Sequence, residues 1–115
     1  MIKTKSVYKD RIEDSDGIRI LVMRGWCRPL SKEKAKIGEW LKELGPSEEL
    51  LDGWNKKRIK WPEYEKRYFK EMESQKESIR ILAERAKKET ITLLCKEPTD
   101  EECHRRLLKE LIEKV

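Results

Sequence analysis

Ile2 to Tyr8 alternates polar and apolar residues, the period of a strand with one face on a core. Asp10 to Gly17 is acidic and turn-rich and predicts a connection. Ile18-Arg19-Ile20-Leu21-Val22-Met23 is a β-branched apolar run that predicts a central strand, closed by the loop Arg24-Gly25-Trp26-Cys27-Arg28-Pro29. The period then changes. Ser31 reads as an N-cap, and Ile37, Trp40, Leu41 and Leu44 recur at helical spacing, predicting one helix to Leu44 that Gly45-Pro46 stops. Ser47 caps a short helix closed by Gly53 and Asn55. Trp61-Pro62 opens the longest helical region, with Tyr64, Tyr68 and Met72 on one face and a second apolar set at Ile79, Leu82, Ala83 and Ala86. Glu73 to Lys76 is either a break between two helices or an exposed face. Thr90 to Cys95 predicts a third strand, and a last helix starting near Glu101 carries the stripe Leu107, Leu108, Leu111, Ile112 and Val115.

The order β-β-α-α-α-β-α predicts an α/β fold. It is a small three-layer sandwich with a short, partly parallel sheet flanked by helices, in one domain over residues 1–115. Composition refines this. Only 37% of residues are hydrophobic and 44% are charged, but 28 basic residues are mixed among 23 acidic ones, and four Trp and three Tyr supply core material. A folded domain with a dense charged surface follows, rather than a disordered chain. Lys and Glu dominate while Asn55 and Gln75 are the only side-chain amides, a thermophile-like composition. Met1 to Lys9 lacks the apolar core of a secretory signal and no apolar run can span a bilayer, so a cytoplasmic protein without membrane contact is expected. Three cysteines without a secretory signal argue against a disulfide framework, although a Cys95–Cys103 bond stays open for a thermophile-like chain.

The chemistry-bearing residues cluster late in the chain. Cys95 ends the third strand, and Cys103, His104 and Arg105 sit in the first turn of the last helix. Open α/β sheets bind ligands at the C-terminal edges of their strands. Cys103 is thus a candidate reactive thiol beside a helix N-terminus, Cys95 its candidate resolving partner and His104 an accessory base. Equally, Cys95 reads as a small buried hydrophobe and His104 as a packed or capping residue. Arg28, after the second strand, and Arg105 are the candidate anion contacts if the two strands are parallel neighbours. Cys27, Cys95, Cys103 and His104 are ligand types suited to zinc, but their spacing is not that of a zinc finger, so neither a metal nor a cofactor is assigned. No Walker or dinucleotide fingerprint exists. The net charge of +5 permits but does not demand nucleic-acid binding. Together Cys95, Cys103, His104, Arg28 and Arg105 suggest a small anion-binding, thiol-bearing pocket, suited to thiol-dependent transfer, phosphate-ester or redox chemistry without deciding among them. The alternative function is a binding module for nucleic acid or protein through Trp54–Trp61, where Lys56, Lys57, Arg58 and Lys60 lie between tryptophans. Nothing in the pattern fixes an oligomeric state.

Gly17-Ile18-Arg19-Ile20-Leu21-Val22, Trp26-Cys27-Arg28-Pro29-Leu30-Ser31-Lys32-Glu33, Trp40-Leu41-Lys42-Glu43-Leu44-Gly45-Pro46-Ser47 and Trp61 through Arg67-Tyr68 follow one another in a recognisable order. Together they resemble the YeaO-like branch of the "domain of unknown function 488" family, over nearly the whole chain. Where that family has Pro-Arg-Gly-Leu-Ser-Lys after the first tryptophan, this chain keeps Arg28 and lacks the Pro and Gly. The ending with Cys95, Cys103, His104 and Arg105 is similar to other branches of the family. The resemblance implies the fold. It implies no reaction, because the family has no established activity.

Overall fold

The computed structural model describes residues 1–115. Four strands form one fully parallel sheet in the order β1-β4-β2-β3: β1 (Ile2–Ser6), β2 (Ile18–Leu21), β3 (Glu39–Trp40) and β4 (Ile91–Cys95). The helices are α1 (Lys32–Ala35), α2 (Glu48–Asn55), α3 (Trp61–Met72), α4 (Lys76–Lys88) and α5 (His104–Glu113), with 3₁₀ turns at Asp14–Asp16, Lys42–Leu44 and Glu73–Gln75. The α/β class read from the sequence holds.

Side chains alternate across the sheet because successive residues of a strand face opposite ways. Ile20, Val22, Ile91 and Leu93 face one side, where Tyr64, Tyr68, Met72, Leu82, Leu107, Leu108 and Ile112 complete the main core. Apolar stripes on α3, α4 and α5 supply these residues, and burying each large side chain contributes about 1.5–3 kcal/mol. Tyr68 is fully buried, and its hydroxyl donates to the Leu44 carbonyl at 2.7 Å. Leu21 and Leu94 face the other side, under a thinner layer of Val7 from just past the end of β1 and Cys27, Ala35 and Ile37 from α1 and its flanking loops.

That second face also carries a row of polar residues. Lys3, Thr92 and Arg19 stand in register across β1, β4 and β2. Asp16, fully buried, sits over them: its carboxylate meets Lys3 at 2.8 Å, Lys5 at 2.7 Å and Arg19 at 2.6 Å. The Arg19 guanidinium also donates twice to the Ala35 carbonyl, and the Thr92 hydroxyl donates to the Asp16 carbonyl at 2.6 Å. Gly17 makes this packing feasible. It has φ +63°, and a Cβ there would lie 2.0 Å from the Thr90 carbonyl oxygen.

One predicted helix is not formed. The stretch from Ser31 to Leu44 has a single α-helical turn, capped by Ser31 and ended by Lys36 in the left-handed conformation, and a separate 3₁₀ turn at Lys42–Leu44. Gly38 N–H then donates to the Arg19 carbonyl and Leu41 N–H to the Leu21 carbonyl, so Glu39–Trp40 joins the sheet edge as β3. Gly38 is a poor helix residue, and the sheet offered its backbone a partner that the helix did not. Trp40, placed in the core by the helical pattern, is instead 40% exposed; its indole donates to the Met23 carbonyl and packs edge-on against Trp26. No helix is long and apolar enough to cross a membrane.

Candidate functional site

β2 and β4 end side by side, and their pairing runs one residue past β2, with Val22 N–H on the Leu94 carbonyl. Both strands therefore deliver their next residues to one rim. Met23-Arg24-Gly25 turns over that rim from β2, Lys96-Glu97 from β4, and the start of α5 closes it from the side. A cavity of about 220 Å³ lies there, lined by these residues with Cys95, Cys103 and His104. Leu51 and Trp54 of α2 and Tyr64 of α3 form its apolar wall. Trp54, Tyr64 and Trp61 pack on one another, with Trp61 stacked on Tyr64 at 4.9 Å.

The helix begins three residues later than its predicted start. Cys103 is the N-cap of α5 in extended conformation, and His104 is the first helical residue. That geometry turns the His104 ring back toward β2, where Nε2 lies 2.5 Å from the Val22 carbonyl oxygen. A carbonyl only accepts, so Nε2 carries the hydrogen. Complete burial pushes the imidazole down to about 4; the Val22 carbonyl opposes this and the Arg105 charge adds to it. The ring is neutral near pH 7, so Nδ1 presents a lone pair, and it faces the Cys103 sulfur at 4.0 Å.

Arg105 is 1% exposed and held by three partners. It donates to the Asp100 carboxylate at 2.7 Å, to the Glu97 carbonyl at 2.7 Å and to the Cys95 sulfur at 3.2 Å. Asp100 in turn accepts from the Thr4 hydroxyl, tying the loop after β4 to β1 and α5. Arg105, expected as an anion contact, instead places its guanidinium on Cys95. The Cys95 and Cys103 sulfurs are in contact, with their Cα atoms 8.0 Å apart.

Of the predicted site residues, Cys95, Cys103, His104 and Arg105 come together. Arg28 does not join them. It is exposed, does not line the cavity, and its carbonyl accepts from the Tyr8 hydroxyl. The arginine that reaches the cavity from the β2 loop is Arg24, which the sequence reading passed over. Its guanidinium donates to the Gly45 and Pro46 carbonyls, and Gly45 lets the two backbones pack closely, since a Cβ there would lie 2.7 Å from the Arg24 backbone nitrogen. Cys27 belongs to the opposite core layer, where burial raises its pKa.

Residues 2–115 match the family model described as the active DUF488-N3 subclade. The chain belongs to the DUF488 family. Among DUF488 relatives it is 38% identical to the uncharacterized protein YeaO of Escherichia coli K12, over 81% of this chain and 80% of that one. It is 32% identical to the uncharacterized Mycobacterium tuberculosis H37Rv protein Rv3073c, over 62% of this chain and 59% of that protein. No solved structure matches this DUF488 chain.

Proposed function

We propose that this protein is a thiol-dependent enzyme whose paired cysteines exchange with a small disulfide substrate in the cavity above β2 and β4. One observation carries the proposal: two cysteines in sulfur contact line one cavity, the Cys95 sulfur accepting from the Arg105 guanidinium behind the wall and the Cys103 sulfur facing the His104 imidazole lone pair. A positive charge stabilises the thiolate, which is the nucleophile in such exchange.

In the reduced protein Cys95, held by Arg105, attacks one sulfur of the substrate. A mixed disulfide forms and the first substrate thiolate leaves. Cys103, its S–H oriented by the His104 Nδ1 lone pair, passes its proton to the departing substrate thiolate as it attacks the Cys95 sulfur, forming the Cys95–Cys103 bond and releasing the second substrate thiol. The substrate disulfide is reduced by two electrons, the protein dithiol is oxidised by two, and the two thiol protons end on the departing thiolates. Arg24 and Lys96 are the cations that would meet an anionic part of the substrate. That the family model is described as an active subclade agrees with a catalytic role.

The basic segment from Trp54 to Trp61 gives less support to a nucleic-acid or protein-binding role. Its tryptophans are taken up by Tyr64 and by each other, and Lys56 and Arg58 pair with Asp52.

Mixing the reduced chain with bis(2-hydroxyethyl) disulfide tests the proposal. Two equivalents of substrate thiol should be released per chain, and either Cys95→Ser or Cys103→Ser should stop the reaction at the mixed disulfide or before it. Release of the second equivalent by either variant contradicts the mechanism.

A further inference from the structure

We infer that, in its reduced state, the same site takes one soft or borderline divalent metal ion, of which Zn²⁺ is the first candidate, through Cys95, Cys103 and His104. The inference rests on the thiol reading above and adds its regulation: an ion on both sulfurs removes them from disulfide exchange.

The fold brings the three ligand residues together, so reduction alone frees the set. The two sulfurs and a His104 ring nitrogen all lie within 4.8 Å of one another, and all three residues are buried. Tetrahedral zinc with S and N ligands needs donor atoms roughly 3.5–3.8 Å apart, a distance set by its bond lengths of about 2.3 and 2.0 Å. The Cys103 sulfur to His104 Nδ1 distance of 4.0 Å is close to that. The Cys95 and Cys103 Cα atoms, 8.0 Å apart, stand wider than the roughly 4.4–6.8 Å usual for a disulfide, so side-chain rotation alone leaves room for an ion between the reduced sulfurs.

The surroundings match what metal sites need. Val22 holds the Nε2 hydrogen, which fixes the tautomer that leaves Nδ1 free to ligate. Arg105 hydrogen-bonds the Cys95 sulfur and offsets part of the charge of two thiolates. Two sulfurs and one nitrogen select zinc-like ions over magnesium or calcium. Three protein ligands leave a fourth position, and the cavity borders all three. Sequence spacing concealed the set because Cys95 and Cys103 approach only through the fold, not through a short Cys-x-x-Cys unit.

Binding replaces two thiol protons: one divalent ion enters and two protons leave. The test uses the full chain, reduced and stripped by a chelator, titrated with Co²⁺ and then with Zn²⁺. One Co²⁺ per chain should bind, with a thiolate-to-cobalt charge-transfer band and intense tetrahedral visible bands that Zn²⁺ abolishes. Cys27→Ser should leave these unchanged, whereas Cys95→Ser and His104→Ala should weaken binding by at least about a hundredfold, beyond the 10–100-fold typical of an outer-shell partner. The unmodified chain with its disulfide closed should bind none, which tests the site without any variant. Absent saturation by the reduced protein, or equal binding by the oxidised one, overturns the inference. Disulfide exchange by the metal-free chain is measured separately: its persistence with no metal binding sinks only the metal site, and its absence with metal binding sinks only the exchange reaction.

Discussion

Asp16→Ala is expected to destabilise the fold by about 3–5 kcal/mol, the usual cost of removing one partner from a buried ion pair. Asp16 is fully buried, and Arg19, only 5% exposed, would keep its charge after the substitution with no carboxylate opposite. Lys3 and Lys5 lose the same partner but reach more solvent, so Arg19 dominates the loss. Denaturant unfolding checks this at neutral pH; a loss under about 1 kcal/mol would show the cluster behaving like a surface network. The cluster also sets the acid response. Burial alone would raise the Asp16 pKa, but hydrogen bonds from Lys3, Lys5, Arg19 and the local backbone hold its carboxyl well below the ordinary range. A carboxylate depressed in the folded state contributes stability above its unfolded value, near 3.9, and that contribution is lost as pH falls toward the folded value. Stability of the unmodified chain should therefore drop steeply below about pH 4, and Asp16→Ala should lack that part of the slope.

Arg105→Met is expected to slow alkylation of Cys95 about ten- to a hundredfold at pH 7 in the reduced protein. The substitution keeps a long apolar stem and removes the donor 3.2 Å from the Cys95 sulfur. A hydrogen bond to a charged group contributes about 1.5–3 kcal/mol, and each 1.4 kcal/mol is a tenfold change in thiolate population. Cys27, on the opposite face of the sheet, should react slowly and equally in both proteins. Circular dichroism separates this effect from unfolding, because Arg105 also ties the loop from Glu97 to Asp100. An unchanged Cys95 rate in a folded variant would mean that the guanidinium serves the loop alone.

The parts of this fold legible in the sequence are those set by local periodicity. Ile18–Leu21 and Ile91–Cys95 are apolar runs too short for helices, and both are strands buried at the centre of the sheet. The stripes of α3, α4 and α5 were readable for the same reason. Residues 36–41 were not, because helical spacing there coincided with a left-handed Lys36 and a glycine whose N–H found the β2 edge. The rim shared by the β2 loop and α5 was expected on the condition that the two strands were parallel neighbours, and the pairing of β2 with β4 meets it. Which arginine of the Arg24–Arg28 loop turns inward did not, since it depends on two carbonyls of Gly45-Pro46 some twenty residues away. The buried Asp16 cluster was hidden likewise: its partners come from β1 and β2, and in sequence Asp16 looks like one more acid in a turn.

Peptide mapping of the chain after reaction with bis(2-hydroxyethyl) disulfide asks most directly whether Cys95, Cys103 and His104 work as one site. A single intramolecular bond between Cys95 and Cys103, with Cys27 a free thiol and the bond slowed in His104→Ala, is the predicted product. Mixed disulfides persisting on Cys95 and Cys103 without their joining, or oxidation that spares both and falls on Cys27, would contradict a shared reactive cavity at the end of β2 and β4.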